Sequence, residues 1–145
     1  MTIVPNFELR DPAGLICGFR LHTDTSPQSL RLYPANQPLG EPHWLHFNLA
    51  DTRACNWLSG CDSIPADARD LLLGSDSHIR TENFSNGLAL VIGDLLHDFK
   101  EDPEELGVLR LYLDDQRLIT GRRHPLKSIV QLRHEVTSGM AFCRS

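Results

Sequence analysis

Seven histidines are the side chains in this sequence best suited to bind a transition metal. His43 and His46 lie three residues apart beside a segment typical of a strand, and this spacing puts the two rings on opposite faces. We therefore expect no ion shared by the pair, and we expect His43 to precede the strand and be solvated. An enzyme site built from histidines would need a deep pocket in which a carboxylate meets at least two rings. The rings considered for that site belong to His22, His46, His78 and His97.

Four cysteines are scattered along the chain, at positions 17, 55, 61 and 143. Cys55 and Cys61 have no second Cys or His pair at zinc-finger spacing, so a structural zinc site is not indicated. The chain does not open with a basic start and an apolar run, as a signal peptide would. We expect free thiols in a reduced cytoplasmic compartment, where they act as small buried hydrophobes or loop thiols.

Motifs for nucleotide binding and nucleophilic catalysis are missing from this sequence. No Gly-rich phosphate loop follows a strand, and no serine stands in a G-x-S-x-G turn. Asp114 and Asp115 lie in a predicted turn, which explains their presence without chemistry. The Arg-Arg-His stretch at 122–124 precedes a predicted helix, where it either binds an anion with the helix N-terminus or forms a solvated basic corner. We expect that the protein is not an enzyme.

Composition favours one globular domain with few plausible partner classes. The chain has 145 residues, 41% of them hydrophobic, which is enough for a core. Fourteen basic and 19 acidic residues give a net charge of −5, and Lys100 and Lys127 are the two lysines. This balance argues against nucleic acid as a partner. The sequence has no apolar run near the ~18 residues of a membrane helix, so we expect the chain as given to be soluble.

The best-formed local pattern is a hairpin followed by an amphipathic helix. Residues 108–113 alternate as a strand, with Leu109 and Tyr112 on opposite faces. A turn at 114–116 leads to a return strand at 117–120, and Pro125 starts a helical period that runs to 137. This segment predicts the part of a sheet that earlier strands would join.

The remaining elements predict a mixed sheet covered by helices. Period-2 patterns predict strands at 15–21, 30–33, 44–48, 79–84 and 88–96. Helices are predicted near 51–58, where Asp51 is the N-cap, and near 65–73, which Ser63 and Pro65 open. Asn86-Gly87 predicts a tight hairpin between two of the strands. The order indicates the α/β (α+β) class, with a mixed sheet of about six strands and helices on its faces.

Four stretches together resemble a known family. They are WLHFNL at 44–49, IPADARDLLL at 64–73, NGLALVI at 86–92, and LRLYL at 109–113 with LITGRRHPL at 118–126. Their order and spacing are similar to the N-terminal cytoplasmic domain of CorA-type divalent-cation transporters. The Gly-Arg-Arg-x-Pro-Leu ending is most similar to the ZntB zinc-transporter branch. The resemblance covers about residues 14–139.

The resemblance implies a soluble αβα domain that regulates and assembles a pentameric membrane transporter of zinc or magnesium. We expect a flexible N-terminus at 1–13, one cytoplasmic domain at 14–139, and a tail at 140–145. That tail would be a truncation point before a stalk helix and two membrane helices, because the family's Gly-x-Asn motif is absent here. The isolated chain should be monomeric or weakly associated and should require no cofactor. The alternative is a free-standing intracellular ligand- or protein-binding α/β domain that shares only the fold.

The resemblance also implies one site. In the 64–73 helix, Asp70 stands where the family carries an acidic residue of its cytoplasmic metal site, between neighbouring subunits. Asp67 lies about one turn earlier and could assist. Hard divalent ions prefer carboxylate oxygens, so such a site would suit weak sensing of Mg²⁺ or Zn²⁺. The alternative is that both aspartates form a solvated acidic face.

Overall fold

A computed structural model describes residues 14–21, 28–29, 42–95 and 106–138. The strands in these ranges are β1 (Leu15–Arg20), β2 (Gln28–Ser29), β3 (His43–Asn48), β4 (Arg80–Phe84), β5 (Gly87–Leu95), β6 (Leu106–Asp114) and β7 (Arg117–Arg122). The helices are α1 (Thr52–Ser59), α2 (Ala66–Leu73) and α3 (Lys127–Thr137). The predictions for 1–13, 30–33 and 140–145 lie outside the described residues.

The strands form one mixed sheet in the order β2-β1-β3-β7-β6-β5-β4. β3 and β7 are parallel, and the other neighbours are antiparallel. Six strands have five residues or more, and β2 adds two residues at one edge. The predicted fold class is therefore confirmed.

Helices cover both faces of the sheet. One apolar cluster joins α1 and α2 to Leu45, Phe47 and Ile119 of the central strands. The second cluster joins α3 to Trp44 and other residues of the opposite face. β6 alternates as predicted, because Leu109 belongs to the α3 side and Tyr112 to the side of α1 and α2. The result is a helix–sheet–helix sandwich.

One face assignment in β1 is wrong. The sequence pattern predicts Leu15 on the same face as Cys17 and Phe19. The register shifts between Leu15 and Cys17, which pair with Phe47 and His46 of β3. This irregularity places Leu15 against the α1 and α2 cluster, while Cys17 and Phe19 pack under α3. An extra residue in one strand reverses the alternation, and strict period-2 reasoning does not detect it.

The helix starts follow the prediction only in part. Asp51 is the N-cap of α1, and its Oδ1 accepts from the backbone N–H of Arg53 at 2.9 Å. Pro65 precedes α2 without a side-chain cap, so Ser63 does not cap this helix. α3 begins at Lys127, two residues after the predicted Pro125.

Candidate metal-binding face of helix α2

Helix α2 carries the two predicted metal ligands on its solvent side. Ala68, Leu71 and Leu72 are buried against the sheet, and Asp67 and Asp70 are exposed. Within the described part of the chain, neither carboxylate takes part in a hydrogen bond or ion pair. Asp67 also stands in the first turn, where negative charge is favourable to the helix dipole. The oxygen atoms of both aspartates are therefore available to an external cation.

Arginines hold the segment that leads into α2. Arg117 of β7 donates from Nη1 to Ser63 Oγ at 2.8 Å and from Nη2 to the Ser63 carbonyl at 2.9 Å. Arg69 of α2 itself donates from Nε to the Ile64 carbonyl at 3.1 Å and from Nη1 to the Ser59 carbonyl at 2.7 Å. The bonds of Arg117 tie the α1–α2 connection to the sheet, and those of Arg69 tie α2 to the same connection, so the start of α2 is fixed in position.

A buried arginine holds the other end of α2. Arg110 of β6 is 2% exposed, and its Nη1 donates to the Leu71 carbonyl at 2.9 Å. Its Nη2 donates to the Asp76 carbonyl at 2.6 Å. Burial lowers the pKa of the Arg110 guanidinium, and the nearby Arg123 and Arg80 lower it further. The positive charge of the Arg110 guanidinium is compensated by carbonyl dipoles at the negative, C-terminal end of α2.

Sequence reasoning missed the role of Arg110. The alternation of β6 places Arg110 on the same face as Tyr112, which is buried against α1 and α2. A charged residue on a face that a helix covers is a signal that it has buried partners. The partners could not be named from sequence, because they are backbone carbonyls of a distant segment.

The donor set of the α2 face is small. Among the described residues, no group of three His, Cys, Asp or Glu side chains is arranged to hold a metal ion. Divalent ions such as Ca²⁺ and Mg²⁺ take six or more oxygen ligands, part of them from water. Asp67 and Asp70 could therefore supply only part of a coordination shell.

The histidines in the described ranges do not converge on one site. His43 is the first residue of β3 and only 6% exposed, so the prediction of a solvated His43 is wrong. Its backbone N–H donates to the Gln116 carbonyl at 3.1 Å, which joins the start of β3 to the residue before β7. His78 is exposed, and its Nδ1 lies 2.8 Å from Asp76 Oδ1. His22 and His97 lie outside the described residues.

His46 belongs to a buried polar chain beneath α3. Trp44 Nε1 donates to Thr120 Oγ1 at 2.8 Å, and His46 Nδ1 lies 2.7 Å from the same oxygen. Because an indole N–H can only donate, Thr120 accepts from Trp44 and its own proton is available to His46. Burial lowers the pKa of His46 to about 3, and Arg122 and Arg133 contribute. The ring is neutral and structural.

The described cysteines are free thiols. Cys17 and Cys61 are buried, and Cys55 is half-buried. Burial raises the pKa of Cys17 to about 11, against the opposing effect of Arg133 and Arg122. A thiol that remains protonated at neutral pH is a poor nucleophile and a poor zinc ligand. Cys143 lies outside the described residues.

The amide at the start of α3 is occupied from within the chain. Asp94 of β5 accepts from the backbone N–H of Ser128 at 3.0 Å and from its hydroxyl at 2.8 Å. Arg123 points elsewhere, with both Nη atoms 3.4 Å from the Gly74 carbonyl. Of the two readings of the Arg-Arg-His stretch, the arrangement favours the basic corner over an anion site.

The family follows from a sequence match. The model of the family described as CorA-like Mg²⁺ transporter protein matches residues 40–142. The chain belongs to this family. The zinc transport protein ZntB of Cronobacter sakazakii is 26% identical over 98 residues, which are 68% of this chain and 30% of that protein. ZntB of Klebsiella pneumoniae is 23% identical over 99 residues, again 30% of its length. The CorA-like chain thus spans about a third of these relatives.

Solved structures share the fold of this CorA-like chain. The full-length CmaX protein has a TM-score of 0.78 at 25% identity, over 90% of this chain and 41% of CmaX. The ZntB cytoplasmic domain of Vibrio parahaemolyticus has a TM-score of 0.74 at 17% identity, over 88% of this chain and 51% of that domain. The CorA magnesium transporter of Methanocaldococcus jannaschii has a TM-score of 0.62 at 15% identity, over 85% of this chain and 37% of that one. The predicted CorA/ZntB-like αβα fold is confirmed. None of the helices in the described ranges is long and apolar enough to span a bilayer.

Proposed function

We propose that this chain is the cytoplasmic regulatory and assembly domain of a ZntB/CorA-like transporter of divalent cations, either zinc or magnesium. Membership of the CorA-like family and the fold shared with a ZntB cytoplasmic domain support this role. The pore would lie in membrane helices outside these residues, and a pentamer would form in the full-length protein. The domain would sense cation level without catalysing a reaction and without a bound cofactor.

The observation that carries the proposal is the acidic face of α2. Asp67 and Asp70 are exposed and unpaired among the described residues, on a helix that arginines hold at both ends. In the proposed site Asp70 is the main ligand and Asp67 assists. The remaining ligands would come from a neighbouring subunit and from water, because two carboxylates hold a divalent ion only weakly. Weak binding suits a sensor that must release its ion when the cell is depleted.

The ligands present in the full-length protein would determine whether the proposed site prefers magnesium or zinc. Carboxylates alone favour Mg²⁺, whereas zinc prefers His or Cys ligands. The α2 face offers carboxylates, so a zinc-sensing site would need a histidine or thiolate from another subunit or segment.

The test is Asp70→Ala in a full-length transporter that contains this chain. We expect transport to depend on cytoplasmic cation over a different concentration range, because the regulatory ligand is lost. Glu135→Ala is the matched control, since Glu135 is an exposed acidic residue of α3, which packs on the opposite face of the sheet. An unchanged cation dependence, with the domain folded, would reject the sensing role.

A further inference from the structure

Arg110 binds the carbonyl of the residue that directly follows Asp70. The Arg110 Nη1 to Leu71 carbonyl bond is buried and 2.9 Å long. Leu71 lies in the last turn of α2, where backbone carbonyls have no partner within the helix. The guanidinium therefore supplies a partner to the backbone immediately beside the proposed ligand.

The same side chain also holds the segment after α2. Its Nη2 bonds the Asp76 carbonyl at 2.6 Å, five residues beyond Leu71. Gly74 ends the helix between these two carbonyls, in an extended conformation. A planar guanidinium donates in two fixed directions, so one side chain fixes both the last turn and the chain that leaves it.

The strand beneath gives this contact a rigid base. Arg110 lies within β6, which is hydrogen-bonded to β5 on one side and β7 on the other. Arg110 pairs with Val91 and Gly121 in those strands. A ligand on a helix end is only as well placed as the contacts that support it. In α2, Arg110 is the residue of the sheet that contacts the backbone directly after Asp70.

We infer that Arg110 is the positioning residue of the α2 cation site, holding Asp70 in place through the carbonyl of Leu71. The inference rests on the proposed function of Asp70. Without Arg110 the last turn of α2 would be more mobile, and Asp70 would have to be ordered when the ion binds. The entropy lost in this ordering weakens binding. Loss of Arg110 therefore lowers cation affinity at a carboxylate that it never touches.

The experiment uses the 145-residue chain and Mn²⁺ as the probe. Mn²⁺ broadens the amide signals near its site in ¹H–¹⁵N spectra, so a titration measures its affinity for α2 in the folded molecules. We expect Arg110→Met to weaken Mn²⁺ binding by about threefold, the size expected for a supporting contact. Amides at 71–78 should also exchange faster with solvent, while those of α1 stay protected.

Two further variants separate positioning from folding. Arg110→Lys keeps the charge, but an ammonium group lacks the forked geometry with which a guanidinium donates to both carbonyls. We therefore expect an intermediate Mn²⁺ affinity. Lys127→Met removes one positive charge from the exposed start of α3, on the other face of the sheet, and should leave binding unchanged. A purely structural role of Arg110 would reduce the folded fraction without altering Mn²⁺ affinity of folded molecules.

Asp70→Ala distinguishes failure of this inference from failure of the proposed function. If the native chain shows no broadening on α2, this helix alone binds no cation and the positioning role is overturned, while the proposed function, which draws ligands from a neighbouring subunit, is not affected. If Asp70→Ala leaves the broadening intact, Asp70 is not the ligand and the proposed site fails. If Asp70→Ala abolishes broadening but both Arg110 variants bind Mn²⁺ like the native chain, the positioning role fails alone. If neither Arg110 variant folds, Arg110 is a folding residue and the positioning role is also overturned.

Discussion

The carboxylate of Asp94, at the end of β5, caps helix α3 from outside the helix. It accepts hydrogen bonds from both the backbone N–H and the hydroxyl of Ser128. Leu126 is the N-cap residue by position and has no side chain that could accept such a bond. The capping group thus comes from 34 residues away and also joins α3 to the sheet that it covers.

Replacing Asp94 should therefore destabilise the protein as loss of a helix cap does. We expect Asp94→Ala to lower the free energy of unfolding by about 1 kcal/mol, since a first-turn amide loses its acceptor and the helix dipole its counter-charge. Urea unfolding followed by circular dichroism measures the change. Asp94→Asn keeps an oxygen acceptor and should cost less. If the two variants were equally stable, capping through the oxygen would be contradicted.

His46 should make stability depend on pH in the mildly acidic range. Its folded-state pKa of about 3 lies below the value of 6.5 in an unfolded chain, so the unfolded state binds the proton first. The loss of folded-state stability that results is absent above pH 6.5 and grows as the pH falls towards 3. We expect a loss of about 2 kcal/mol between pH 7 and pH 5 from this residue.

The control for this prediction is His46→Gln, which cannot titrate but can still accept from Thr120. Urea unfolding of both proteins at pH 5 and pH 7 isolates the histidine, because the other titrating groups are shared. The native chain should lose more stability than the variant on acidification. Equal losses would show that His46 does not resist protonation.

Local patterns in the sequence predicted the parts of the fold that depend on neighbouring residues. The alternation of β6 sorted Leu109 and Tyr112 correctly to the two faces of the sheet. Asp51 was correctly predicted as the N-cap of α1, because its partner is two residues away. Helical spacing predicted that Asp67 and Asp70 lie about one turn apart, and both side chains are exposed.

The features that were predicted wrongly or missed are those whose structure depends on a distant segment of the chain. His43 reads as a solvated residue before a strand, but parallel pairing with Arg117 of β7 extends β3 to include it. The start of α3 is capped by the distant Asp94, and the buried Arg110 donates to a carbonyl of α2. Side-chain periodicity carries no information about such partners, so they appear only once the sheet order is known.

The hairpin between β4 and β5 depends on Gly87 for space. Phe84 pairs with Gly87, so the two turn residues are Ser85 and Asn86 instead of the expected Asn-Gly pair. A Cβ atom at position 87 would clash with the Leu113 carbonyl oxygen of β6. Backbone atoms cannot retreat from such a contact without moving a strand.

We therefore expect Gly87→Ala to lower the free energy of unfolding by about 2 kcal/mol, the cost of forced overpacking. Gly60→Ala is the matched control, because a Cβ there would find its nearest atom at an ordinary 3.5 Å and the backbone φ is −87°. That change should be neutral or stabilise by about 0.5 kcal/mol through the unfolded chain. Thermal unfolding of both variants measures the difference, and similar behaviour of the two would refute the steric argument.

The isolated 145-residue chain should be monomeric or only weakly associated in solution. A stable assembly buries a contiguous interface of roughly 1,000 Å² or more, usually with a well-packed apolar centre. In the described ranges, the large hydrophobic side chains with substantial exposure are Ile79, Leu113 and Val130, on three different elements or connections. Light scattering at micromolar concentration should report the mass of one chain. Leu113→Asp is the companion variant. It replaces an exposed apolar side chain of β6 with a charge and should abolish any residual association through that surface. A stable pentamer at that concentration would contradict the prediction and would mean that this domain carries its own assembly interface.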